Sequence, residues 1–200
     1  DNTVRVFKNN TAISATIITF GVPVTVGTVN GGGASVTVSM GDIDGDGLPD
    51  MAVVNSVMGA VYMYRNISSV GISFTLQTVF TGINTPIAAQ IADMDTDGRP
   101  DVVVANGVNN VYNIFRSQQP ISGTWSFGAA AVLLSTTKAF AIGDIDQDGD
   151  LDIVIATDAG SSAHVYRNTS TQGIFSFGLS ATLSRTDAIG KTVLLADLNN

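Results

Sequence analysis

The sequence predicts an all-β fold, a β-propeller built of four-stranded antiparallel blades. Three observations carry this: an internal repeat of about fifty residues, four strand-like segments in each period, and a nine-residue acidic loop that recurs in register. The chain has 200 residues, 44% of them hydrophobic, and a net charge of -8, so it can bury a core.

The repeat is set by its acidic clusters. Their first residues are Asp42, Asp93, Asp144 and Asp197, at intervals of 51, 51 and 53 residues. A second marker runs in phase: Phe7-Lys8-Asn9, Tyr64-Arg65-Asn66, Phe115-Arg116-Ser117 and Tyr166-Arg167-Asn168. From the first Asp to the basic residue the distance is 23 in each complete unit. A third marker is Thr19-Phe20-Gly21, Ser73-Phe74-Thr75, Ser126-Phe127-Gly128 and Ser176-Phe177-Gly178.

The strands follow from composition. Short runs of Val, Ile, Thr and aromatic residues alternate with Gly, Asn, Asp and Ser, and no long stretch has helical apolar periodicity. In the second complete unit they are expected at about 87–91, 101–105, 110–115 and 125–134. The first strand of each unit is small and apolar throughout, as Ile87-Ala88-Ala89-Gln90-Ile91 shows, which suits a crowded inner position. The predicted organisation is a partial blade at 1–34, blades at about 35–85, 86–136 and 137–189, and the start of a further blade at 190–200. Thr3 to Lys8 matches a third strand and Asp197 opens a fourth loop, so further chain or a neighbouring copy is expected to complete the array. A β-sandwich or a solenoid is the alternative, although solenoid rungs are shorter.

The acidic loops carry the chemistry. All seventeen acidic residues are Asp, and thirteen lie in 42–50, 93–101 and 144–152. A short carboxylate close to its own backbone is what a tight cation cage needs. Positions 1, 3, 5 and 9 are Asp42, Asp44, Asp46 and Asp50, then Asp93, Asp95, Asp97 and Asp101, then Asp144, Asp146, Asp148 and Asp152. Gly at position 6 permits the sharp turn. Position 7, held by Leu48, Arg99 or Asp150, is expected to offer its main-chain carbonyl. Most units show no basic residue near the loop in sequence, so uncompensated carboxylates would repel one another unless a cation sits among them. A hard cation with six to eight oxygen ligands fits, and Ca²⁺ fits better than Mg²⁺, which retains water. Three complete Ca²⁺ sites are expected, and a fourth, from Asp197 and Asn199, is incomplete. Position 12 is Val53, Val104 or Ile155 rather than Glu and the flanks are strand-like, so these are not EF-hands.

On these loops and the Phe-Gly elements, the chain resembles the FG-GAP and VCBS repeat families, known from integrin α-subunit propellers and many secreted proteins. The resemblance covers essentially the whole sequence. It implies that the Asp loop joins the first two strands of a blade and that its twelve Asp residues bind Ca²⁺. The element departs at Phe74-Thr75 and no Gly-Ala-Pro element is recognisable, which favours the VCBS-like branch.

Other chemistry is poorly supplied. The absence of Cys excludes Cys-His sets, no Ser-His-Asp set is recognisable around the one His, and carboxylates repeated in every unit are not a single acid–base pair. Gly31-Gly32-Gly33 lacks the Lys of a phosphate loop. His164 occupies a variable strand position. Trp125 and the Tyr residues serve strand packing or, less commonly, a sugar platform. Asn9, Asn66 and Asn168 head glycosylation sequons, but the repeat itself places Asn there. Nine Lys plus Arg without a cluster argue against nucleic acid, and no apolar run is long enough to insert in a membrane. The expected role is that of a non-catalytic, secreted or cell-surface propeller binding a protein or glycan in adhesion or recognition, with further copies of itself as another partner. Alternatives are a structural subunit of an extracellular fibre or coat, and a propeller attached to an enzyme domain elsewhere.

Overall fold

A computed structural model of the chain describes residues 3–14, 16–28, 36–107, 111–118, 125–134, 139–157, 162–184 and 192–195. Among them every regular element is a β-strand. Strands β1 (Thr3–Val6) and β2 (Val24–Thr28) form a two-stranded sheet. The first four-stranded sheet contains β3 (Val36–Gly41), β4 (Asp50–Asn55), β5 (Ala60–Asn66) and β6 (Phe74–Phe80). The second contains β7 (Pro86–Ala92), β8 (Asp101–Asn106), β9 (Val111–Ser117) and β10 (Phe127–Leu134). The third contains β11 (Ala139–Gly143), β12 (Asp152–Ala156), β13 (Ser162–Asn168) and β14 (Phe177–Ser184). Each is an antiparallel meander in which strands adjacent in sequence pair, the arrangement of a propeller blade.

The strands lie close to the expected limits. The fourth strand of the second blade begins at Phe127 rather than Trp125, because Trp125 turns out of the ladder and buries its ring in the core. A register shift recurs where third and fourth strands pair, at Met63/Tyr64, Phe127/Ala130 and Val165/Tyr166. The β1–β2 pair also shifts register, at Val4/Arg5, as does the β7–β8 pair at Pro86/Ala88.

The core lies between the sheets. Every residue of β4 and of β8 is buried, and side chains alternate along a strand, so each central strand feeds two interfaces. Ala52 and Val54 pack with Val102 and Val104 between the first and second blades. Val103 and Ala105 face Ile153, Ile155 and Phe140 of the third, while Met51 and Val53 face Val4. A strand covered on both faces reads as an unbroken apolar run, which is why the sequence shows Val102-Val103-Val104-Ala105 there.

First strands lie along a common edge. The Thr37 hydroxyl donates to the Ile87 carbonyl (3.2 Å), and Gln90 Nε2 donates to the Phe140 carbonyl (3.3 Å). A Cβ on Gly41 would stand 2.7 Å from Ile91 Cγ2, so β3 and β7 approach closely there, whereas Val38 and Met40 on β3 are exposed rather than crowded. No helix among the described residues is long and apolar enough to cross a membrane.

Candidate metal centres

Each acidic loop connects the first strand of a blade to the second and is shaped by its own carboxylates. In the first loop, Asp42 Oδ1 accepts the Gly45 N–H (2.8 Å) and Oδ2 accepts the Gly47 N–H (2.9 Å). Asp93 and Asp144 accept the equivalent Gly98 and Gly149 N–H groups at 2.8 and 3.1 Å. Gly47, Gly98 and Gly149 have φ of 84°, 83° and 96°, and a Cβ there would meet nothing, so conformation rather than space calls for glycine. Position 4 is left-handed as well: Gly45 has φ 74°, but Thr96 and Gln147 hold φ 53° and 61° with side chains.

Position 9 locks the loop to the sheet. Asp50 Oδ2 accepts the Ile43 N–H (2.8 Å) and Oδ1 accepts the Asn66 N–H (2.8 Å). Asp101 does the same with Met94 and Ser117 (both 2.9 Å), and Asp152 with Ile145 and Asn168 (3.0 and 2.8 Å). These carboxylates are buried at the foot of the second strand. Burial pushes Asp50 up to about 6 and Asp101 to about 7, against the backbone donors that pull both down; the neighbouring loop carboxylates add to the rise.

Positions 1, 3 and 9 converge. Asp42, Asp44 and Asp50 each offer an oxygen within 4.8 Å of the others, as do Asp93, Asp95 and Asp101, and Asp144, Asp146 and Asp152. Oxygens on one ion at about 2.4 Å are separated by no more than about 4.8 Å, so each trio could hold a metal ion. Asp95 adds a specific sign of fit. Its side chain is 0% exposed, and Oδ1 has no hydrogen-bond partner, an arrangement a cation would relieve.

Position 5 is turned elsewhere. Asp46, Asp97 and Asp148 accept the position-7 N–H of Leu48, Arg99 and Asp150 at 2.9, 2.9 and 3.0 Å, and their other oxygens face an arginine. Asp197 and Asn199 lie outside the described residues.

The expectation that most loops lack a basic neighbour is wrong. Arg65 Nε lies 2.6 Å from Asp44 Oδ2, Arg116 Nε 2.6 Å from Asp95 Oδ2, and Arg167 Nε 2.7 Å from Asp146 Oδ2. The reason is β-pairing: Met51 opposite Tyr64 sets Arg65 beside the foot of β4, although 15 positions separate Asp50 from Arg65 in the chain. The constant spacing of 23 from the first Asp was the signal for this role. The Arg116 guanidinium is held further above its usual range by its hydrogen bond to Asp95. Arg167 in turn holds Asp148 below the usual carboxylate range, while desolvation raises Asp146.

Two sequon asparagines are also part of the loops. Asn66 Nδ2 donates to the Pro49 carbonyl (3.0 Å). Asn168 Nδ2 donates to Leu151 (2.9 Å) in its own blade and to Met94 (2.8 Å) in the preceding loop. Both residues are buried, whereas Asn9 is exposed. From the same third blade the Gly173 N–H donates to Asp95 Oδ2 (2.7 Å), so the second loop is covered by its neighbour. Trp125 is 6% exposed and presents no sugar platform.

The FG-GAP-like repeat model matches residues 42–104, 93–155 and 144–200, the first two matches running from one loop through the next, and together they cover well over half the chain. No individual curated protein matches it.

Proposed function

This chain belongs to the FG-GAP-like repeat family, and from that premise we propose that it is a non-catalytic, calcium-binding propeller module acting outside the cell in recognition or adhesion, with a protein or glycan as its ligand. Repeats of this family are generally non-catalytic modules and occur in extracellular proteins. The observation that carries the calcium reading is the buried, unpartnered Asp95 Oδ1 beside two further carboxylates. Hard oxygen donors with no nitrogen or sulfur among them favour Ca²⁺ or Mg²⁺, and a cage this rich in protein carboxylate favours the larger ion.

Bound calcium would neutralise the clustered charge and cross-link the first strand of a blade to the second. Asp42, Asp44 and Asp50, with their counterparts in the other two loops, would hold it. Because the loops recur in every blade, their task is to hold the scaffold, and recognition falls to surfaces the blades present. The alternative partners, further copies of this chain, use the same scaffold.

Calorimetric titration of chelator-stripped protein with calcium, repeated with magnesium, tests the metal: three calcium ions per chain and much weaker magnesium binding are expected. Absence of calcium binding at millimolar concentration would overturn it. A glycan array and a panel of matrix proteins, each probed with and without calcium, test recognition. Calcium-dependent retention supports it, and no retention on either surface refutes it.

A further inference from the structure

The arginine that faces each loop has a geometry that charge balance alone does not require. Arg65 spans Asp44 Oδ2 with Nε (2.6 Å) and Asp46 Oδ2 with Nη2 (3.2 Å). Arg116 spans Asp95 and Asp97 in the same way (2.6 and 2.7 Å), and Arg167 spans Asp146 and Asp148 (both 2.7 Å). In each case one edge of the guanidinium bridges two different carboxylates, at positions 3 and 5, and takes the Oδ2 atom of each. A planar fork suits this task, whereas an ammonium would sit on one carboxylate at a time. The second loop shows the need most clearly. Asp95 and Asp97 side chains are 0% and 1% exposed, and carboxylates this deeply buried without a counter-charge are strongly unfavourable.

We propose that this third-strand arginine is a built-in counter-ion of the calcium-free loop: it stands in for the cation, keeps the position-3 and position-5 carboxylates aimed at the loop, and is opposed by the cation once bound. The inference rests on reading the loops as calcium sites. A cation held at positions 1, 3 and 9 shares the position-3 carboxylate with the guanidinium, and in the second loop the unpartnered Asp95 Oδ1 is the oxygen left for it. Two positive groups sharing the same acids weaken each other's hold, so the arginine contributes more to the empty loop than to the loaded one. By reciprocity, removing the arginine increases the stability that calcium confers.

The test compares wild type with Arg116→Met, which keeps an apolar stem, and with Arg116→Lys. Melting temperatures are measured in excess chelator and in saturating calcium. Arg116→Met should lose roughly 5 °C or more in chelator and less than half of that in calcium, with Arg116→Lys between it and wild type. Arg167→Met is the second variant, since its pair is open (48% and 38% exposed) and the chain should tolerate it; the same sign is expected with a smaller shift. Equal losses in chelator and calcium would assign the arginine a packing role only, and no loss in either variant would also overturn the proposal. If wild type gains nothing from calcium, the reading of the loops fails, while the loss in chelator still judges the arginine as a counter-ion.

Discussion

Asn168→Ala should destabilise the chain whether or not calcium is present. The side chain is 1% exposed and makes three hydrogen bonds: Nδ2 to the Met94 carbonyl at 2.8 Å and the Leu151 carbonyl at 2.9 Å, and Oδ1 from the Ser170 N–H at 2.9 Å. At a net value of about 0.5–1.5 kcal/mol each, their loss amounts to about 1.5–4.5 kcal/mol. For a chain of this size that is a fall in Tm of roughly 3–18 °C. Asn66→Ala is the internal control. It removes the matching bonds to Pro49 (3.0 Å) and from Ser68 (3.0 Å), and no bond from its Nδ2 to another blade is among those seen. The difference between the variants therefore isolates the link to Met94, about 0.5–1.5 kcal/mol. Scanning calorimetry in excess chelator reads both. An Asn168→Ala melting temperature within about 1 °C of wild type, or an Asn66→Ala variant that is the more damaged of the two, would refute the reasoning. The same geometry predicts that Asn66 and Asn168 carry no glycan on folded protein from a glycosylating host, which peptide mapping would check.

Asp95→Ala should lower calcium stoichiometry from three to two, leaving the loops at Asp42 and Asp144 functional; a loss of all binding in titration would show that the loops are not separate sites. Without calcium the chain should melt at a higher temperature at pH 5 than at pH 8. The folded pKa values of Asp50 and Asp101, about 6 and about 7, lie above the unfolded value of 3.8, so between those values the folded chain binds more protons and its stability falls as pH rises from about 4 to about 7. Calcium, which requires the deprotonated acids, should flatten or reverse the trend, and equal melting at both pH values in chelator would count against it. Thr96→Gly should raise Tm by roughly 1–4 °C, because a β-branched residue at φ 53° is strained and glycine at the matching Gly45 is not. A lower melting temperature would show that the Thr96 side chain contributes more than its strain costs.

Much of the fold was legible because its determinants are local and repeated. Strand composition, the run Val102-Val103-Val104-Ala105 and the loop spacing all lie within short windows, and three copies made the register plain. The convergence of Asp42, Asp44 and Asp50 could be foreseen for the same reason. What the sequence did not disclose depends on partners brought in from elsewhere. Arg65 meets Asp44 only because β4 and β5 pair in one register, and Asn168 meets Met94 only because two blades stack. The turning of Asp46, Asp97 and Asp148 toward arginine could not be read from spacing that treats positions 1, 3, 5 and 9 alike. Nor could the strained position 4, since Thr96 and Gln147 look unremarkable until their φ values are known.

The two-faced central strands mean that a repeat in the sequence and a core in the molecule are out of step by half a unit. Val103 and Val104 are joined by one peptide bond, yet Val103 sits in the seam toward the third blade and Val104 in the seam toward the first. A scan of truncations along β8 would therefore read out two seams in alternation, each substitution loosening one neighbour and sparing the other. It also means that exchanging one repeat for another is a change at two interfaces. A grafted blade whose odd and even residues each match the seam they enter will seat, and one matched on a single face will leave the stack divided at the other.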